Sequence, residues 1–333
     1  MNYRDAAISF PFLGEDFVIN PSTHITVFGR NIYWYGIIIG VGFLLAVMYA
    51  LKRSKQFGLT QDNILDMLIC AVPSAIIGAR LYYVIFNPDE YFGAGKWGNI
   101  VKIWEGGLAI YGGIIFAVGA VIIVCKVRKI PLLPMLDIGG LGLLIGQAIG
   151  RWGNMMNREA FGEVTDIFCR MGLTLSGQET IYVHPTFLYE SLWNAVGFIV
   201  LHIVSKKWRK FDGQIFLMYI GWYGLGRFFI EGLRTDSLYI LNTDIRVSQL
   251  LAVICFGVAA VLLLRIFITR RGNYSPLAVC TVGACEVSEG EESSDNEIAE
   301  NIVNDTDDAE GSNIDDANID DANENNTNTD VKE

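Results

Sequence analysis

The chain has 333 residues, 52% of them hydrophobic, and a mean hydropathy of +0.35. That composition argues against a soluble enzyme and for a membrane protein. The formal charge of −11 misleads, because Glu286 to Glu333 alone carries −17, from 18 acidic residues and one lysine, which leaves a mildly basic body of +6. No nucleic-acid partner is expected.

In chain order, residues Met1 to Arg30 lack the basic-then-apolar plan of a cleavable signal peptide. With Phe10-Pro11-Phe12 and Phe17, residues 1–31 read as an extracytoplasmic, interfacial arm. A bilayer-spanning helix needs about 20 predominantly apolar residues. Seven stretches qualify: Ile32–Leu51, Ile64–Phe86, Leu108–Val124, Leu132–Ile149, Pro185–Val204, Gln214–Ile230 and Gln249–Phe267. Their glycines, prolines and polar residues suit a helical bundle. The expected architecture is therefore an all-α, polytopic membrane protein with seven transmembrane helices. Residues 32–268 form the membrane domain, 269–285 a cytoplasmic linker, and 286–333 an acidic tail too poor in apolar residues to fold.

Orientation follows from the loops. Lys52, Arg53 and Lys55 follow the first span, and Lys126, Arg128 and Lys129 the third. Lys206, Lys207, Arg209 and Lys210 follow the fifth, and Arg270 and Arg271 the seventh. These nearly acid-free clusters mark every second loop as cytoplasmic. The N-terminus is then outside and the C-terminus inside.

With that topology, six unusual stretches lie toward the outer leaflet. They are Tyr33-Trp34-Tyr35-Gly36, the region of Arg80, Gly106-Gly107 through Tyr111 to Gly112-Gly113, Gly150 to Gly162, His184 to Glu190, and Tyr223 to Arg234. Each has a plain alternative. Trp34, Trp97 and Trp104 suit an aromatic belt. The glycine pairs around Tyr111 suit close helix packing as well as close approach to a lipid. Arg227 and Glu231, four residues apart, suit a structural ion pair. Yet Tyr223, Arg227 and Glu231 share one helical face, and ionisable groups at membrane depth usually face a polar cavity. Arg80 reads either way, His184 before Pro185 also reads as a helix start, and Asp66 and Asp137 read as structural.

The stretch from Gly150 to Gly162 follows a long apolar run and packs two Arg, two Asn and a Glu between glycines. By composition it suits a polar exit loop and an anionic-headgroup site about equally, since guanidinium binds phosphate bidentately. Its order is more specific: Gly150, Arg151, Gly153, Asn154, Asn157, Glu159 and Gly162 resemble the signature of bacterial prolipoprotein diacylglyceryl transferases, with Met155 where the family pattern has Phe. Trp34 to Gly36, the glycine-rich start of the third span, His184-Pro185-Thr186 and Arg227/Glu231/Arg234 resemble the same family, so the likeness runs from about Tyr33 to Ile268.

The resemblance implies transfer of diacylglyceryl from phosphatidylglycerol to the lipobox cysteine of a prolipoprotein, giving a thioether and glycerol 1-phosphate. No cofactor is implied. The partners are phosphatidylglycerol, lipobox signal peptides and the surrounding membrane lipids. Arg151 and Arg227 are expected to clamp the phosphate, Asn154 to donate to the headgroup, and Glu159 or Glu231 to hold the arginines. Tyr35, Asn157 and Arg234 join the expected lipid site, with Arg80, His184 and Tyr223 as secondary candidates. Tyr111 stands where part of the family has a His cast as a base. Neutral Tyr, with a pKa about 10, is a poor base near pH 7, so Tyr111 is expected to position substrate and the base is unassigned.

The nucleophile is the substrate's own thiol, and arginines can stabilise the charge that develops on the leaving phosphate. A lipid flippase for anionic headgroups is the alternative reading, although no internal repeat is evident. No Gly-x-Ser-type nucleophile or Asp-rich metal motif supports a protease or an alcohol phosphatidyltransferase. The cysteines and histidines form no metal-ligand spacing, and no metal site is expected.

Overall fold

The computed structural model describes residues 3, 5–14, 17–92, 96–235 and 246–269. The expected linker beyond Thr269 and the acidic tail lie outside the described residues.

Helices form at all seven expected stretches: α1 (Trp34–Arg53), α2 (Gln61–Phe86), α4 (Ile110–Arg128), α5 (Leu132–Asn157), α6 (Thr186–Lys207), α7 (Gln214–Glu231) and α8 (Val247–Thr269). A short α3 (Pro88–Tyr91) follows α2. Among the described residues six are long and apolar enough to cross a membrane, which makes this a multi-pass membrane protein. The helix α7, with Gln214, Arg227 and Glu231, is not one of the six. Apolar side chains such as Leu44, Met48, Ile115, Ile123, Val261 and Leu264 face outward, the burial pattern of a lipid-solvated bundle.

α5 is central, packing on α1, α6 and α7, while α2 pairs with α4 and α7 with α8. α6 and α7 are clasped by two tryptophans. Trp193 and Trp222 stack with centroids 4.5 Å apart, and each indole N–H donates to the other's carbonyl at 3.0 Å. At the start of α7, buried Asp137 on α5 accepts from Gly213 N at 2.9 Å, Phe216 N at 2.8 Å and Arg209 Nε at 3.2 Å. A carboxylate from a neighbouring helix thus supplies the N-terminal cap that α7 lacks locally. Asp137 is structural, as its sequence context suggested.

The chain is mostly helical, and the all-α expectation needs one correction. Strands β1 (Ala7–Ser9), β2 (Val18–Ile19), β5 (Met171–Thr174) and β6 (Ile181–Val183) form an antiparallel sheet in the order β2-β1-β5-β6. Strands β3 (His24–Val27) and β4 (Arg30–Tyr33) make a hairpin leading into α1. The sheet takes the N-terminal arm into a small core, in which Ala6, Ile8 and Phe10 are buried at every second position, as a one-faced strand requires. The arm pairs with a segment 165 residues later in register Ile8↔Leu173, which no local pattern announces.

Candidate functional site

The helix α5 does not end with its apolar run but continues through Asn157. Arg151 and Asn154 therefore stand three residues apart on one helical face instead of in an exit loop. Arg158 then adopts a left-handed conformation (φ 49°), and the N–H of Glu159 returns to Asn154 O at 3.1 Å. That reversal tucks the Glu159 carboxylate under the helix end, where Oε1 accepts from Asn154 Nδ2 at 2.9 Å and Asn157 Nδ2 at 3.3 Å.

Arg151 donates from Nη1 to Asn154 Oδ1 at 3.2 Å, and its Nη2 lies 2.5 Å from Glu190 Oε2. The other Glu190 oxygen, Oε1, takes Arg227 Nη1 at 3.3 Å and Arg234 Nη1 at 3.4 Å. Arg227 Nη2 also pairs with Glu231 Oε2 at 2.8 Å. Glu231 is buried and accepts from Ser248 Oγ at 2.6 Å on α8. Among the described residues, three guanidinium groups from α5, α7 and the segment after it thus share one buried carboxylate on α6. The Glu190 side chain is 8% exposed, whereas that of Arg151 is 25% exposed. The carboxylate is inside and the arginine remains partly accessible.

Two glycines make this convergence possible. A Cβ on Gly153 would lie 2.7 Å from the Tyr35 ring, so α1 brings Tyr35 flush against α5 beside Arg151. A Cβ on Gly162 would lie 2.7 Å from both His184 Cβ and Leu233 O. Gly162 is the middle of a three-segment crossing: its N–H donates to His184 O at 2.9 Å, and it bridges to Arg234 on the other side. That crossing delivers Arg234 to Glu190.

The chain belongs to the prolipoprotein diacylglyceryl transferase family. The model of that family matches residues 23–265. Phosphatidylglycerol–prolipoprotein diacylglyceryl transferase of Finegoldia magna is 48% identical over 235 residues, covering 70% of this chain and 91% of the relative. The enzyme of the same name from Lactiplantibacillus plantarum is 46% identical, covering 68% and 82%, and that from Bacillus velezensis is 41% identical, covering 70% and 88%.

Of the residues singled out in the sequence, Arg151, Asn154, Asn157, Glu159, Arg227, Glu231 and Arg234 come together in one bonded network, with Tyr35 packed beside it. Glu159 reaches Arg151 only through Asn154, whose amide bridges the two. Four others stand apart from these bonds. Arg80, expected as a secondary lipid contact, is buried and gives its N–H groups to the carbonyls of Asn99, Ile100, Gly106 and Gly107 at 2.6–3.0 Å. It pins a loop in which Gly106 and Gly107 hold φ values of 92° and 72°, conformations that favour glycine. Gly112 has room for no Cβ against Gly78 O on α2, so the second glycine pair includes a close helix contact. Tyr111 begins α4 with its side chain exposed. Tyr223 stacks on Tyr219, with centroids 6.2 Å apart. His184 Nδ1 meets Tyr189 OH at 3.3 Å.

Glu190, the hub, was named in the sequence only as the end of the His184–Glu190 stretch and was given no role. Its signal was present: a carboxylate within an otherwise apolar span demands a partner. Arg158, the second arginine of the Gly150–Gly162 stretch, is buried and donates to Ala6 O, Met156 O, Asn20 Oδ1 and Pro21 O at 2.6–3.0 Å, fastening the N-terminal arm to the bundle. Burial pulls its guanidinium below the usual value, with Asp5 opposing the shift.

Proposed function

We propose that this chain is a transferase that moves diacylglyceryl from phosphatidylglycerol to the lipobox cysteine of a prolipoprotein, forming a thioether and releasing glycerol 1-phosphate. The observation that carries the reading is the set of arginines gathered on Glu190 at the end of the signature helix. A phosphodiester that becomes a phosphomonoester gains negative charge, and preorganised guanidinium groups are the donors that stabilise it. In this reading Arg151 and Arg227 grip the phosphate and Arg234 extends the positive surface. Asn154 and Asn157 fix the carboxylate of Glu159 and, with Tyr35, line the headgroup side. Glu190 and Glu231 hold the guanidinium planes. No enzyme nucleophile is required, because the substrate's thiol attacks.

The membrane catalytic domain is residues 32–268, with α7 as a seventh span whose polar side faces the bundle. The charge pattern of the loops supports an outside N-terminus, an inside C-terminus and a site opening to the outer leaflet of the cell membrane. Cysteines introduced at Asn99 and Gly177 should react with impermeant thiol reagents from outside, and one at Lys55 should not; reversed labelling would remove the outer-leaflet site.

The activity is tested in liposomes containing the purified protein, phosphatidylglycerol and a lipobox peptide. Thioether-linked diacylglyceryl should appear on the peptide, and should be lost when phosphatidylcholine replaces phosphatidylglycerol. Lipid scrambling without thiol modification would favour the flippase reading instead.

A further inference from the structure

Thiol transfer leaves one proton to be removed, and neither the arginine cluster nor Tyr111 accounts for it. We propose that His184, oriented by Tyr189, accepts the proton of the incoming thiol; this rests on the transferase reading above.

The backbone places His184 beside the cluster. Residues 162–164 run between residues 183–184 on one side and 233–234 on the other. His184 N donates to Glu163 O at 3.0 Å, Glu163 N donates to Leu233 O at 2.9 Å, and Gly162 bridges to Arg234. Two strand spacings, about 10 Å, therefore separate the backbones of His184 and Arg234, whose guanidinium sits on Glu190. The residue next to Glu190 on α6 is Tyr189, the partner of the imidazole. The other described histidines are elsewhere: His24 packs on Tyr33 in the hairpin, and His202 bonds Tyr49 at the far end of the bundle.

The bonding around the ring suits a base. His184 Nδ1 lies 3.3 Å from Tyr189 OH, and that oxygen lies 3.5 Å from Cys169 Sγ. If the Tyr189 hydroxyl donates to the sulfur, its oxygen accepts the Nδ1–H of the imidazole. That tautomer leaves a lone pair on Nε2, which meets no hydrogen-bond partner among the described residues. The Nδ1 contact fixes the direction of the ring, and His184 as a residue is only half-buried. Tyr189 also lines an apolar furrow with Trp193, Val196, Phe229 and Leu233 between α6 and α7. The titratable groups around the imidazole are Tyr189 on α6, Cys169 before β5, and Glu163 and Arg234 on the adjoining segments.

The step balances. The thiol proton moves to Nε2, the sulfur forms a bond to the glycerol carbon, and the carbon–oxygen bond to phosphate breaks with its electron pair left on oxygen. The imidazolium proton then passes to the departing phosphomonoester or to water.

The test is the pH dependence of lipobox-peptide lipidation in phosphatidylglycerol liposomes. His184→Gln should lower kcat by roughly 100-fold or more at pH 7. The loss should shrink as pH approaches about 9, where a thiol of reference pKa about 8.5 ionises unaided. Tyr189→Phe frees the tautomer and should lower kcat less, with KM for peptide unchanged and the acid limb of the profile displaced. Phosphatidylglycerol binding and the unfolding temperature in detergent should stay at wild-type values in both. A His184→Gln protein within threefold of wild type, or one whose defect is the same at every pH, overturns the proposal. If His184→Gln does not fold, an unchanged acid limb in Tyr189→Phe overturns it. Failure of the wild-type protein to lipidate the peptide sinks the transferase reading itself, a separate outcome.

Discussion

Two groups of arginines, one at each end of α5, look alike in sequence and differ in what surrounds them. Asp137 and Arg151 are 14 residues apart on the helix, about 21 Å. At the Asp137 end, the Arg209 side chain is 3% exposed and pairs with Asp137 at 3.2 Å and Asp212 at 2.5 Å, with its guanidinium over the Phe57 ring at 4.5 Å. Arg53 beside it donates to Gln56, Tyr49 and Ser205. At the Arg151 end, three guanidinium groups lean on one carboxylate, and Arg151 keeps a quarter of its side chain accessible. Burial of an arginine is therefore not what marks a binding site. A guanidinium enclosed by its own acceptors holds helices together, whereas one left partly accessible can take an anion.

The sharpest way to break that comparison is Asp137→Asn. Removing one partner of a fully buried pair costs about 3–5 kcal/mol, here together with the cap on α7. The expected result is a marked drop in unfolding temperature in detergent, while turnover per folded molecule stays within a few-fold. Lost turnover with unchanged stability would show that the two ends do not divide the work as described.

The converse holds for Arg151→Lys, Arg227→Lys and Glu190→Gln. Lysine keeps the charge but not the planar fork, and glutamine keeps the shape of Glu190 but not its charge. Each should lose about 2–4 kcal/mol of transition-state stabilisation, roughly 30- to 1,000-fold in rate. Near-normal turnover in both arginine variants would refute the phosphate clamp.

A smaller effect is expected for Arg80→Lys, which separates the pinning arginine from the binding ones. It should raise proteolysis in the 97–107 loop and lower turnover less than tenfold. The smallest belongs to Tyr111→Phe, which keeps the ring and removes the hydroxyl. Its loss should be modest and independent of pH, with Tyr111→Ala clearly worse. A large defect in Tyr111→Phe that high pH rescues would make Tyr111 the base and displace His184.

Much of this was legible in the chain, because the information was local. Apolar runs bounded by basic loops gave helices at every expected position, and the order of residues from Gly150 to Gly162 pointed to the family later shown. The helix period placed Tyr223, Arg227 and Glu231 on one face, and the Arg227–Glu231 pair forms at 2.8 Å. The alternation of Ala6, Ile8 and Phe10 was also there to be read as a strand.

What the sequence could not reveal depends on contacts across long separations. Glu190 is 39 residues from Arg151 and 37 from Arg227, and nothing near it names its partners. Arg80, Arg151 and Arg158 have the same side chain, yet only folding decides that Arg80 meets loop carbonyls, Arg158 meets the N-terminal arm, and Arg151 meets Glu190. The physical reason is that a buried guanidinium must find acceptors wherever the packed backbone leaves them. The choice among acceptors belongs to the tertiary structure.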